Sequence, residues 1–426
     1  MNSSYIVKYN DIVFAIEHRG SVQCMYLNNY AKVIVNIGVT VEKGDLIKIN
    51  FSPEHLPLVR EITKEAYKNG AQYVSLDLRD SEIEKIRVRY LEDEFLGVYP
   101  KSVVENELNY AKSGFSTITI VAPTFSDGDS DWIDRTSIVN KARSIAMSPC
   151  RTYGMENHNK WVVVNAPTKE WALQVFPDNP ENQAIELLWK YIYEATKSNA
   201  SNPVLSWKQH NVFLKNLSKK LNNYRFSALR FVSEKTDLIV SLAQNHIWLG
   251  GSETTRAGKE FMSNIPVEEV WTMPNKYHVN GYVTTTKPII LAGQTIPELK
   301  LFFENGRVTR VDPEHQVVLD FLQTDDGAGM LGEVALVSTN SSIAKTGITF
   351  RSTLFDENAA CHIALGQAYI DNILDGYLKT EEELTELGMN QSAVHEDIMI
   401  GDSSMSVFGL LEREEILIME NGNWKI

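Results

Sequence analysis

Cysteine is scarce in this 426-residue chain: Cys24, Cys150 and Cys361 stand far apart, with no C-x-x-C pair. An odd, widely spaced set excludes a disulfide framework and predicts reduced thiols in a cytoplasmic protein. Basic charge is also short, with 41 Lys and Arg against 55 Asp and Glu and a formal charge of −14. Nucleic-acid affinity is built largely from clustered Lys and Arg, so no nucleic-acid partner is expected. No apolar run reaches spanning length, which argues against a membrane protein. The opening MNSSYIVKYNDIVFAIEHRG lacks a basic region followed by an apolar one, so no secretion signal is expected. Several catalytic signatures are missing too. GSETTRAGKE holds Gly258-Lys259, but Gly251 lies too far upstream and Glu260 occupies the place of the Ser or Thr that a phosphate loop requires. No strand leads into G-x-G-x-x-G, and H-E-x-x-H and G-x-S-x-G are absent.

What remains is an ordinary globular composition, 43% hydrophobic and 23% charged, long enough for two domains. In the first half, LIKINF, YVSLDL (73–78), STITIVAP (116–123) and KWVVVNAP (160–167) alternate with amphipathic helices, one of them stopping at Gly70. Val- and Ile-rich strands alternating with helices predict parallel βαβ units. The Ser, Asn and Pro cluster KSNASNP (197–203) marks a break, giving an α/β domain over 1–200 and a second domain over 201–426. In the second half, Asn305-Gly306 and Asn421-Gly422 each separate alternating runs, a strong hairpin signal that predicts an antiparallel α+β domain. His18, His55, His158 and His210 lie in polar contexts and read as solvated surface.

The stretch FDENAACHIALGQAY (355–369) reads as a helix. Asn358 would be its N-cap, with Asp356 and Glu357 at the positive end of the dipole. His362 and Tyr369, seven residues apart, would return to within roughly 20° on one face. Three other segments carry polar chemistry inside apolar runs. In NIPVEEVWTMP, Glu268 and Glu269 face opposite sides of an extended segment, so one of them points into a given site. In MLGEVALV, Glu333 interrupts a run that is otherwise a buried strand, and a lone buried carboxylate needs a partner or a cation. In SAVHEDIMIG, His395 and Asp397 share one face of a strand, with Glu396 opposite. Each segment alone has an ordinary structural reading, as an ion pair, a cap or a surface strand.

Together they offer two imidazoles, three carboxylates and a phenol, a set too rich for a single zinc and suited to two divalent cations. Two cations ~3.5–4 Å apart supply hydroxide near neutral pH and polarise a carbonyl, which favours hydrolysis of an amide or ester over redox chemistry. A 2-His-1-carboxylate site for a mononuclear iron dioxygenase can be drawn from the same residues, but leaves two carboxylates without partners. A dimeric binding protein that has lost catalysis is the third reading.

N-x-P-x-E-E-V, LGEVALV, TLFDENAACHIALGQAY, H-x-D-x-MIG and the closing NGNW, in this order, resemble the thermophilic-type metalloaminopeptidases of family M29. NIGVTVEKGD, AYKNGA and ALQVFPD extend the likeness into the first half, over about residues 25–426. The resemblance implies metal ligands at Glu269, Glu333, His362, Tyr369, His395 and Asp397, with Glu333 and Asp397 shared between two cations. Zinc or cobalt is the implied metal, with magnesium or manganese as alternatives. It further implies release of N-terminal residues from peptides with a free N-terminus through a metal-bridging hydroxide, and a homodimer. The implied fold has a C-terminal domain carrying the whole metal site. Tyr369 is expected as a weak ligand or as a donor to the developing oxyanion, and Glu268 as an outer or proton-handling group.

Overall fold

The computed structural model describes residues 24–125, 130–291 and 294–426. Leu46–Phe51, Tyr73–Leu78, Phe115–Val121 and Trp161–Asn165 form the parallel sheet that the βαβ alternation predicts. The helix Leu56–Lys68 buries Leu58, Val59, Ile62 and Ala66. It stops where Gly70 turns with φ +93°, a conformation glycine adopts without strain. The fifth strand, Asn264–Ile265, comes from the second half and pairs with Trp161–Asn165. Within four residues of leaving this sheet, the chain enters another at Glu269. That short passage ties the position of the later site to the first half.

Residues 197–203, where the sequence suggests a break, run from just after the helix Glu181–Ala195 to the first residue of the helix Pro203–Tyr224. Asn202 caps the second of these, accepting from the Leu205 N–H at 3.1 Å. Beyond it, an eight-stranded antiparallel sheet contains both expected hairpins, Lys300–Glu304 with Arg307–Asp312 and Glu415–Glu420 with Asn423–Trp424. Each Asn-Gly pair has positive φ at both residues, as the tight two-residue turn demands. Among the described residues, no helix is long and apolar enough to cross a membrane.

A second antiparallel sheet runs His395–Met399, His362–Gly366, Leu331–Val337, Glu269–Thr272, Leu249–Gly250. Here the helix expected over 355–369 is corrected. Only one helical turn, Thr353–Asp356, and a 3-10 turn, Glu357–Ala359, precede the strand His362–Gly366. Asp356 accepts the N–H groups of Phe350 and Ser352, closing a loop, and Ala360 is fully extended (φ −154°). The Ala-rich segment has helical propensity, but it is buried throughout and hydrogen-bonded to a strand on each side, which outweighs propensity. Asn358 is accordingly no N-cap.

Register explains how distant residues meet. Directly paired residues in antiparallel strands share a face. Glu333 pairs with Ala364, which pairs with Asp397, while Ala335 pairs with His362. The two alanines leave room between the longer side chains of one face. Gly332, beside Glu333, sits where the pairing shifts between Leu331 and Glu333. A Cβ there would stand 2.4 Å from the carbonyl oxygens of both Gly366 and Gln367. Gly332→Ala should therefore cost about 1–3 kcal/mol by overpacking, read as a lowered thermal unfolding temperature.

Candidate metal centre

Four strands and one turn deliver the polar groups. His362 Nε2 lies 3.1 Å from Glu269 Oε2 and 3.7 Å from Glu333 Oε1. His395 Nε2 lies 3.7 Å from Glu333 Oε2 and 3.5 Å from Asp397 Oδ1. Two groups of three follow, Glu269–Glu333–His362 and Glu333–His395–Asp397, each with ligand atoms within 4.8 Å of one another. Glu333 belongs to both, turning one oxygen to each histidine. The strands bring together five of the residues expected from sequence. Tyr369, in the loop after His362–Gly366, joins them with its ring centroid 5.1 Å from that of His395. All six line one cavity of about 310 Å3.

The histidines are oriented from behind. His362 Nδ1 is 3.2 Å from Ala360 O, and His395 Nδ1 is 2.7 Å from Gln367 O. A carbonyl can only accept, so each Nδ1 carries a proton and each Nε2 is the ring nitrogen turned toward the carboxylates of the cavity. This is the usual arrangement of histidine ligands to metals.

Sequence reasoning missed Glu357. The helix expectation set it at a dipole terminus, whereas it is buried, lines the cavity and feels the charges of Asp397, Glu269, His362 and Glu333. The sequence signal is slight: Glu357 sits in the polar triplet Asp356-Glu357-Asn358, five residues before His362 and just ahead of a small and apolar stretch. The proton-handling role expected for Glu268 is not supported by its position. Its carboxylate faces away from the cavity, toward Lys197 Nζ at 3.0 Å, Ser342 Oγ at 2.6 Å and His210 Nε2 at 3.4 Å. His210 and His55 are also corrections to the solvated reading. His210 is largely buried, bonded to Val267 O at 2.8 Å, and buried His55 is bonded to Ala166 O at 3.0 Å. His158 is half-buried and stacks on Tyr153, and His18 lies outside the described residues.

Electrostatics shows what this cavity demands. Burial pushes the Glu333 carboxyl up, the nearby His362 imidazole opposes this, and the Asp397 charge reinforces it. Burial and the neighbouring carboxylates push Glu357 well up. Burial disfavours charge on His395, but Asp397 and Glu333 outweigh it and hold the imidazole up at about 9. His362 is raised well above its ordinary value by Glu269 and Glu333, again against burial. Asp397 stays low, because His395 and His362 overcome burial. Burial and Glu333 raise Tyr369, which keeps its phenolic proton.

Divalent cations fit these residues. Glu269 Oε2 is buried and accepts no well-directed hydrogen bond, despite His362 Nε2 at 3.1 Å. A buried carboxylate oxygen with no well-directed hydrogen bond, beside two imidazole nitrogens facing the same cavity, matches the mixed oxygen and nitrogen donors that divalent cations take.

The comparisons with known proteins agree with this chemistry. Residues 25–424 match the family described as thermophilic metalloprotease (M29). Aminopeptidase AmpS of Bacillus subtilis (strain 168) is 38% identical over 406 residues, 93% of this chain and 98% of the relative. Aminopeptidase 2 of Geobacillus stearothermophilus is 36% identical, over 93% of this chain and 97% of the relative. The solved structure of wild-type AmpT from Thermus thermophilus superposes with a TM-score of 0.86 at 34% identity, covering 94% of this chain and 99% of that one. Matched over nearly its whole length, the chain belongs to the M29 family of thermophilic metalloproteases.

Proposed function

We propose that this protein is a metal-dependent aminopeptidase that hydrolyses the first peptide bond of peptides with a free N-terminus, using two divalent cations. One observation carries the reading: Glu333 sits between two donor groups and offers one carboxylate oxygen to each. Glu269, Glu333 and His362 would hold one cation and Glu333, His395 and Asp397 the other, with Glu357 adding a further oxygen donor beside them. A cation pair in this cavity supplies Lewis acidity, lowering the pKa of a bound water and polarising the peptide carbonyl.

The protein's own groups do the rest. Tyr369, protonated and buried at the cavity wall, is placed to donate a hydrogen bond to the oxyanion that develops on the carbonyl. Trp161 from the first half and Leu249 and Trp271 from the second close the cavity around a volume that takes a chain end. A single iron bound by both histidines and one carboxylate would leave the remaining carboxylates buried and uncompensated, so nothing in the geometry favours the dioxygenase reading. The aminopeptidase names of the relatives support peptide substrates.

Glu333→Gln and His395→Ala should each lower bound metal, measured by elemental analysis, and abolish release of amino acids from unblocked peptides. N-terminally acetylated peptides should remain intact with the native protein. Wild-type turnover in both variants would refute the assignment. Tyr369→Phe should reduce kcat roughly 10²–10³-fold with little change in KM, as expected for loss of one oxyanion donor.

Metal uptake should depend on pH with a defined sign. In the cation-free protein His395 holds a proton up to about pH 9, and uptake must expel it. Affinity should therefore rise between pH 6 and 8, by about tenfold per unit for each proton expelled. Titration calorimetry in two buffers of different ionisation enthalpy should show proton release, and a pH-independent affinity would contradict this account.

A further inference from the structure

Glu269 and Glu357 reach the cavity from unlike segments, the first residue of a strand and the first residue of a 3-10 turn. One buried side chain lies between these segments. Asn358 is wholly inaccessible. Its Oδ1 accepts the Glu268 N–H at 2.6 Å, and its Nδ2 donates to Leu354 O at 2.9 Å and to Glu357 Oε1 at 3.2 Å. These partners fix the amide orientation, since an N–H needs the oxygen and a carbonyl needs the nitrogen.

Glu268 is itself clamped. Its carboxylate takes Lys197 and Ser342 on one oxygen and faces His210 with the other. Ser342 follows the strand that carries Glu333, Lys197 lies in the segment between the two long helices, and His210 is on the second of them. The donor that Asn358 grips therefore belongs to a segment anchored on three sides.

We propose that Asn358 is a positioning residue that bridges the Glu268–Glu269 segment and the Glu357 turn, and so sets the Glu357 carboxylate where it completes the cation site. A carboxylate on a one-turn 3-10 segment lacks the ladder of hydrogen bonds that orients Glu333 and Asp397. The Asn358 amide supplies that constraint, and by engaging Oε1 it leaves Oε2 of Glu357 free to face the cavity. Glu268 contributes through its backbone N–H and its anchored side chain, without entering the cavity. This rests on the reading of Glu357 as a cation donor.

The test is a double-mutant cycle on metal release. The full-length protein is loaded with zinc, and transfer to an excess of a chelating dye is timed for wild type, Asn358→Ala, Glu357→Gln and the double variant. Loss of a group that orients a ligand typically costs roughly 10–100-fold in metal affinity, and Asn358→Ala should hasten release by a factor in that range. If Asn358 acts through Glu357, the double variant should match Glu357→Gln within about twofold. Release at the wild-type rate in Asn358→Ala, or a double variant equal to the product of the singles, would overturn the proposal. Should Asn358→Ala fail to fold by circular dichroism, Asn358→Ser, whose hydroxyl is too short to span both segments, enters the same cycle. Failure of the aminopeptidase reading would be seen separately, as a zinc-loaded wild type that leaves unblocked peptides intact.

Discussion

The structure depends on keeping four carboxylates and two imidazoles together inside a protein. Glu269, Glu333, Glu357 and Asp397 are buried or nearly so, within one cavity and largely out of reach of water. Charges of one sign so placed repel one another, and burial alone disfavours each of them. The carboxylates hold both histidines above their ordinary range, and burial keeps Glu333 and Glu357 raised. On the proposed reading, two doubly charged ions would offset these carboxylates and let both imidazoles be neutral, which would link metal binding to proton release.

The fold holds this arrangement through cross-strand register. Side chains from strands far apart in sequence share a face because their residues pair directly, and Ala335 and Ala364 hold open the space between them. Gly332 permits the close approach of the 366–367 backbone that sets Glu333 in place. Anchoring extends beyond the sheet. The strand Asn264–Ile265 fastens the chain to the first-half parallel sheet four residues before Glu269, and Lys197 holds Glu268 from the helix break. The first half therefore supplies a wall of the cavity and also anchors the strand that carries Glu269.

Some of this could be read from the amino acids and some could not. Strands whose alternation and turn residues are local came out directly: the Val- and Ile-rich parallel strands, and the two Asn-Gly hairpins with both residues at positive φ. Glu333 and the His395/Asp397 pair were legible because a charged group inside an apolar run has few structural uses. The segment around His362 was misread because Ala, Leu and Gln favour helix locally, while two flanking strands impose extension. That error carried Glu357 out of the site. His55 and His210 were misplaced on the surface, since burial beneath polar-looking sequence is decided by what packs over it.

Local chemistry determined which residue types could ligate a cation and where turns had to fall, because steric and hydrogen-bonding preferences act within a few residues of the chain. Which of those ligands meet, at what spacing, and which Glu of the 268–269 pair turns inward were settled only by tertiary pairing. Strand register and buried hydrogen bonds join segments more than a hundred residues apart, and no local preference encodes that distance.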